Sequence, residues 1–413
     1  MVEKNLFLYS LAVVAIFKDE ARYLREWLDY HLLAGVEHFY LYNNDSSDDY
    51  KKILAPYVEE NLVTLTECPG KLIQYPAYND ALEKFRFECR YMAFIDIDEF
   101  ILPKNNRSIV EVVDEILFAE ENAAGLGINW QCFGSNGQIT ADYSRGVLER
   151  FTRRAPSDWD DSGGRGNEHI KTIANPRRVD YFCNPHFAIY FGPFRAVNEN
   201  GDKVHGPFNA PVMTDKIVVN HYHTKSNEEY ILKHRRGKAD ILSNDYNDAK
   251  FNTHDRNEVL DVEILKYRTA RAKNFSMESD GQRVSRVISS LVRTLTKNFS
   301  AESLNGELET FLTCRALAEK FQIKIGDHSA EEIALARIYQ NLSEGTALIY
   351  HDMQLFIEVL PEILARPFPL VKKISQVFAQ RTLPAMMDAA KNAQAWQEYK
   401  NLRSLQRLLE SIQ

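Results

Sequence analysis

The first 130 residues switch repeatedly between runs of β-branched, aromatic and aliphatic residues and segments with helical spacing, and few folds accommodate that rhythm. Apolar runs fall at Leu6 to Phe17, His38 to Tyr42, Leu62 to Thr66, Tyr91 to Ile95 and Ala124 to Trp130, each short enough to be a strand buried on both faces. Between them, Ala21 to Leu33 puts Leu24, Trp27, Leu28, His31 and Leu32 on one helical face, and Asp48 to Glu59, Tyr78 to Cys89 and Ser108 to Phe118 supply three more helical patterns. Strand and helix in regular alternation predict an α/β fold, a Rossmann-like and mostly parallel sheet covered on both faces, with ligands at the carboxyl ends of the strands. Asp19, Asn43, Asn44, Asp45, Asp96 and Asp98 all fall at such ends.

The stretch YMAFIDIDEFILP, Tyr91 to Pro103, ends an apolar run in two aspartates one residue apart. A strand that delivers Asp96 and Asp98 to its edge aims two carboxylates at one point, where a hard divalent cation carrying phosphate oxygens could sit. Spacing alone is weak evidence, because Asp158 and Asp160 repeat it inside SDWDDSGGRGN, a Gly-rich stretch with no strand to hold them. The bland reading of the first pair is a strand end whose acids face water.

From about Gln131 to Gly237 the texture changes to Gly, Pro, Asn, His and aromatics, with short strand-like pieces such as Lys216 to Asn220. Within it, VNHYHTKSNEEYILKHRRGKAD runs from a β-branched segment through His221, His223 and Lys225 to a helix capped by Ser226 or Asn227. Imidazole can complete a divalent-metal shell, and a lysine and a helix N-terminus both favour phosphate. A proton acceptor is harder to place; Asp158, Asp160, Asp161 and Glu168, with Glu149, are candidates, though loop solvation explains any one of them. Gly163, Gly164 and Gly166 suggest a mobile flap, and Trp130, Phe133 and Trp159 are either ligand-stacking rings or core.

Composition closes off other classes. The net charge of −8 argues against a nucleic-acid surface, and five scattered cysteines without CxxC spacing suggest neither a disulfide framework nor a zinc cluster. A reducing cytoplasm fits best. The apolar N-terminal stretch ends in charged residues and is too short to span a bilayer, so it reads as a first buried strand. After about Asp240 the chain becomes helical; Val284, Val287, Ile288, Leu291, Val292 and Leu295 follow helical spacing, as does Ala330 to Leu342. Arg283, Arg286, Arg293 and Lys297, with Arg366, Lys372 and Lys373, would let these helices lie on an anionic membrane. The blander alternative is a helical core or homodimer interface.

The blocks AIFKDEARYLREWLDYHLLAGVEHFYLYNNDSSDD, FIDIDEFILP, NWQCFGSNG, LERFTRR, HIKTIANP, NPH and NHYHTKSNEEYILKHRRGKAD, in that order from about Val13 to Asp240, resemble glycosyltransferase family 92 and bacterial family 2-like relatives. The part after about Ala270 is not covered. The resemblance implies a GT-A fold over residues 1–240, with a nucleotide half at about 1–130 and an acceptor half at about 131–240. A connecting segment, 241–270, and an all-helical domain, 271–413, would follow. It implies an inverting hexosyltransferase, galactose preferred, that uses a UDP-sugar donor with manganese or magnesium. The acceptor would be a glycan or lipid-linked saccharide in surface polysaccharide or lipopolysaccharide synthesis, on the cytoplasmic side. Asp96, Asp98 and His221 would hold the metal, Asp96 and Lys225 the diphosphate, and Asn43, Asn44 and Asp45 the nucleoside, with Asp19 or Glu20 near the base. Asp160, Asp161 and Glu168 remain candidate bases. A metal-dependent phosphohydrolase or nucleotidyltransferase using the same acids, and a non-catalytic glycan-binding scaffold, are the competing readings.

Overall fold

The computed structural model describes residues 2–161, 163–237, 248–273, 276–300, 303–304, 306–344, 350–392 and 396–412. The chain divides into two compact units, Tyr9–Glu278 and Met1–Leu8 together with Ser279–Gln413. The first runs β1 (Tyr9–Phe17), α1 (Ala21–Leu33), β2 (His38–Asn43), α2 (Tyr50–Glu59), β3 (Val63–Glu67), α3 (Gln74–Phe85), β4 (Cys89–Phe94), β5 (Glu99–Pro103), α4 (Ile109–Ala119) and β6 (Ala123–Cys132). It continues with α5 (Val147–Arg150), β7 (Ile170–Ala174), β8 (Arg195–Val197), β9 (Ile217–His221), α6 (Asn227–Arg236), α7 (Asp248–His254) and α8 (Glu263–Ala272).

Nine strands form one sheet in the order β3-β2-β1-β4-β7-β6-β9-β5, with β8 added beside β6. β3, β2, β1 and β4 are parallel, as the alternation predicts. The other half is mixed, because β7 runs antiparallel to β4 and β6, and β5 antiparallel to β9. No crossover helix separates β4 from β5. The chain reverses within Ile95 to Asp98, and the two aspartates ride on that reversal rather than on a strand.

Residues predicted to lie toward the core do so: Leu24, Trp27, Leu28 and His31 of α1 are buried against β1, β2 and β5. The third helix begins earlier than expected, at Gln74 instead of Tyr78, because the stripe Gln74, Ala77, Tyr78, Ala81, Leu82 is the buried one; Cys89 opens β4. Of the segment expected to connect two domains, 241–270, residues 241–247 lie outside the described ones. The rest packs in the sheet unit, where Tyr267 meets Tyr30 and donates to Arg107 O.

The second unit contains α9 (Asp280–Thr296), α10 (Leu308–Phe321), α11 (Ala330–Glu344), α12 (Tyr350–Leu364), α13 (Pro369–Val377), α14 (Leu383–Asn392) and α15 (Trp396–Ile412). α9 starts at a Ser279–Gln282 capping box and buries Val287, Leu291 and Leu295. Its basic residues are divided between buried and exposed positions, Arg293 and Lys297 being exposed. Arg283 is buried, Arg286 donates to the carbonyls of Asn5 and Phe7, and Arg293 pairs with Glu3 at 2.7 Å. Arg366 is held by Glu319 and Glu331, while Lys372 and Lys373 stay exposed. Residues 1–8 therefore belong with these helices, and the first strand starts at Tyr9 rather than Leu6. Among the described residues no helix is long and apolar enough to cross a membrane.

Candidate functional site

The edge strand β5 is fixed by α1. Trp27 Nε1 donates to Glu99 O at 2.8 Å, Tyr30 Oη donates to Ile101 O at 2.9 Å, and His31 Nε2 accepts from Ile101 N at 3.3 Å. Burial pushes the His31 imidazole down to about 3, so it stays neutral and can accept. These side chains satisfy backbone groups that an edge strand would otherwise leave open. β9 then pairs with β5 in a register that sets His221 opposite Glu99, and Tyr222 N donates to Asp98 O at 2.8 Å. Register alone therefore brings His221 to Asp98.

Asp98 is almost fully buried, and its carboxylate receives Lys233 Nζ and lies 3.7 Å from His221 Nε2. Burial opposes its charged form, but Lys233, His221 and Lys225 outweigh that and hold the carboxyl well below the usual range. Burial pushes His221 down to about 4 against the pull of Asp98, leaving the ring neutral. Asp98, His221 and His223 offer ligand atoms within 4.8 Å of one another. Two features fit a cation here. The buried Nδ1 of His221 has no hydrogen-bond partner, and a cationic group, the Lys233 ammonium, already bridges Asp98 to His223 Nδ1, 3.3 Å away.

Asp96 does not join that cluster. It accepts from Gln74 Nε2 at 2.9 Å and Lys171 Nζ at 2.8 Å, while its own N–H donates to Glu99 Oε2. Lys171 also lies 3.4 Å from Glu99 and is buried; Asp96 and Glu99 overcome the cost of burying its charge and raise its pKa. Glu99 is fully buried and is pushed up to about 8 by burial, with Asp96 and Asp98 adding to the effect and Lys171 opposing it. The two aspartates thus diverge, because the rule that residues i and i+2 share a face holds in strands and not in a reversal.

A cavity of about 620 Å³ opens beside Asp98's lysine partner, lined among others by Asp19, Glu20, Asp48, Lys225, Lys233 and Arg236; ligand sites commonly span about 300–1,000 Å³. Asp19 and Lys225 both occupy the left-handed backbone region, at φ +49° and +52°, a conformation that non-glycine residues hold mainly where the surroundings impose it. α6 begins with a Ser226–Glu229 capping box and presents Glu229, Leu232, Lys233 and Arg236 to the cavity, one i, i+3, i+4, i+7 face. Arg150 clamps Glu229 with two hydrogen bonds, at 2.7 and 2.9 Å. Arg236 pairs with Glu20 and donates to Asp19 O. Lys225 lies 4.5 Å above the Tyr23 ring, its pKa lowered chiefly by burial.

Other expected site residues are engaged elsewhere. Asn43 donates to Tyr50 Oη and Glu67, Asn44 donates to the carbonyls of Cys68 and Gly70, and Asp45 accepts from Gly70 N. The same turn reaches the cavity through Ser47, Asp48 and Asp49 instead. Asp160 accepts from the N–H groups of Gly163 and Arg165, and Asp161 from Gly166 N, so these acids hold the glycine turn in shape. Glu168 faces Arg165 at 3.9 Å. Phe133 and Trp159 are core, and Trp130 is covered by the rings of His169 and His221.

The glycosyltransferase family 92 model matches residues 9–275, about two-thirds of the chain and the whole of the sheet unit except its last residues. The chain belongs to glycosyltransferase family 92. A family 92 protein of Ricinus communis is 24% identical over 254 residues, covering 60% of this chain and 41% of its own. One from Oryza sativa subsp. japonica is 30% identical over 147 residues, covering 35% and 25%. Galactan beta-1,4-galactosyltransferase GALS1 of Arabidopsis thaliana is 27% identical over 103 residues, covering 22% and 21%. The chain thus spans less than half the length of these plant proteins. Among solved structures, S. aureus TarS 1-349 in complex with UDP-GlcNAc aligns over 97% of this chain and 92% of its own, at 12% identity and a TM-score of 0.34.

Family 92 membership and the sheet observed here agree on a GT-A arrangement with an appended helical region. Lys171, Lys233 and Arg236 were not singled out from the sequence. The face formed by Glu229, Lys233 and Arg236 was open to view there, since the capped helix start fixes which residues of KHRR turn toward Lys225. Lys171 carried no such signal; its position on β7 meets Asp96 only through an antiparallel pairing that the alternation did not predict.

Proposed function

We propose that this family 92 chain transfers a hexose from a nucleoside-diphosphate donor to a hydroxyl of a glycan or lipid-linked saccharide. The observation that carries this reading is the cavity in which Lys225, Lys233 and Arg236 converge beside Asp98 and His221. Three cations on one wall suit a diphosphate, and Asp19, Glu20 and Asp48 offer acceptors to the N–H groups of a nucleoside.

Breaking the bond between the anomeric carbon and the diphosphate leaves growing negative charge on the departing oxygen. Lys225, Lys233 and Arg236 therefore stabilise the transition state more than the ground state. Asp98, His221 and His223 would hold a divalent ion, manganese or magnesium, which when bound supplies Lewis-acid charge neutralisation at the diphosphate. Asp96, locked by Lys171 and Gln74, is a positioning group for the donor's ribose or phosphate. A UDP-sugar is the donor of choice, and galactose the transferred sugar, because relatives are named galactan beta-1,4-galactosyltransferases.

Calorimetry with UDP-, GDP- and dTDP-sugars, run with manganese, with EDTA and with Asp98→Asn, tests the assignment. One donor should bind in a manganese-dependent way that Asp98→Asn abolishes. If the folded, manganese-loaded protein binds none of them, the donor site is misassigned.

A further inference from the structure

The proposed transfer needs a group to take the acceptor's proton, and the flap acids are occupied in holding backbone N–H groups. A different candidate emerges from a closed circuit of side chains next to the Asp98 cluster. Trp130 stacks on His169 with ring centroids 4.6 Å apart and an interplanar angle of 20°, and lies 4.2 Å from His221. His221 and His223 are 5.3 Å apart, as are His223 and His254. His254 Nε2 lies 3.6 Å from Asp161, Asp161 accepts from Gly166 N, and Gly166 O meets His169 Nδ1 at 3.0 Å. The circuit closes on itself.

We propose that His169 is the general base of the transfer, accepting the acceptor-hydroxyl proton at Nε2. The assignment deepens the transferase reading and rests on it. A carbonyl cannot donate, so the contact with Gly166 O fixes the proton on Nδ1 and leaves the Nε2 lone pair free. The ring is held by stacking on Trp130 and by the loop behind it. Asn129 Nδ2 donates to the carbonyls of Asn167 and Glu168, and Asn167 Oδ1 accepts from Cys132 N. Burial lowers the His169 pKa; Asp161 works the other way, and Lys171 and Arg165 reinforce the lowering. The imidazole is therefore neutral and competent near pH 7. His186 has the same tautomer, with Nδ1 on Ile170 O at 3.0 Å, and its ring lies 5.1 Å from both Trp130 and His169, but burial and Lys171 press its pKa further down.

In the step itself the acceptor O–H proton passes to Nε2 as the acceptor oxygen bonds to the anomeric carbon. The carbon–oxygen bond to the diphosphate breaks, the electron pair leaves with the nucleoside diphosphate, and the imidazolium later returns its proton to water. Glu168, one residue away, faces the Arg165 guanidinium at 3.9 Å.

Two measurements on the full chain decide the matter. Imidazole ¹⁵N spectra, with His169 assigned by difference against His169→Gln, should show the neutral Nδ1–H tautomer at pH 7. An Nε2–H tautomer or an imidazolium would overturn the assignment without any donor being needed. With UDP-galactose, manganese and water or a galactoside as acceptor, His169→Gln should lower kcat by roughly 10²–10⁴-fold while calorimetric UDP affinity stays within twofold. Added imidazole should partly rescue His169→Gly, and His186→Gln should stay within a few-fold of wild type. Wild-type turnover that His169→Gln retains within threefold refutes the base but leaves the donor site standing. UDP binding absent from the wild type removes the transferase reading and the base with it.

Discussion

Glu229 ties the start of α6 to the rest of the sheet unit, and replacing it with glutamine isolates what its charge contributes. The glutamine amide can still cap Ser226, but the buried guanidinium of Arg150 loses its countercharge; the two side chains are each 1% exposed. Burial works against the ionised Glu229, yet the hydrogen bonds from Arg150 and Ser226 bring its pKa down from 4.5 to about 2. That depression is equivalent to about 2–3 kcal/mol at pH 7 after allowance for residual solvent screening. A depressed carboxylate contributes stability that is full above its unfolded pKa and fades as pH falls toward the folded value. The penalty of Glu229→Gln should therefore shrink from about 2–3 kcal/mol at pH 7 to about 1 kcal/mol at pH 3. Urea unfolding of both proteins at the two pH values reads the difference directly. Because α6 carries Lys233 and Arg236, the variant should also bind nucleotide more weakly. A loss below about 1 kcal/mol at pH 7, or one that does not change with pH, would refute the claim that this ion pair anchors the helix.

Lys171→Met removes the cation shared by Asp96 and the fully buried Glu99, and should cost about 3–5 kcal/mol, the usual effect of stranding one half of a buried pair; thermal unfolding that barely moves would contradict it. Lys233→Met vacates the position between Asp98 and His223, so manganese should bind the nucleotide-free variant about 10-fold more tightly, about 1.4 kcal/mol. Electron paramagnetic resonance of free manganese measures this, and an affinity equal to or below that of wild type would show that the lysine does not compete for the site.

The parallel half of the sheet was legible because its signal is local: each strand and each helix buries its own stripe. The mixed half was not, since the direction of β5 depends on a four-residue reversal and on α1 side chains that reach its backbone from some 70 residues away in sequence. The site divides along the same line. Asp98 and His221 could be named from the sequence because each follows an apolar run, His221 closing β9 and Asp98 lying in the turn after β4. Asp96 was placed by strand geometry although it lies in a turn, where Gln74 and Lys171 hold it, and Asn43, Asn44 and Asp45 were read as ligand groups while the structure shows them bonded to backbone groups and neighbouring side chains. The acids of the glycine turn show a similar limit: a carboxylate that accepts local N–H groups looks, in sequence, like one that is free.

The segment from His221 to Arg236 is legible in a stricter sense, because one covalent ruler sets every distance in it. β9 delivers His221 by register, the left-handed residue Lys225 turns the chain, Ser226 starts α6, and the helix places Glu229, Lys233 and Arg236 on one face. An insertion between Ser226 and Lys233 would swing the two cations by about 100° around the helix, away from Asp98 and the cavity. Shortening the turn before Ser226 would instead separate the helix from the strand that carries His221. Either change would leave every residue type present and the site dismantled. The spacing within this block is therefore part of the chemistry, as much as the identities of the residues it places.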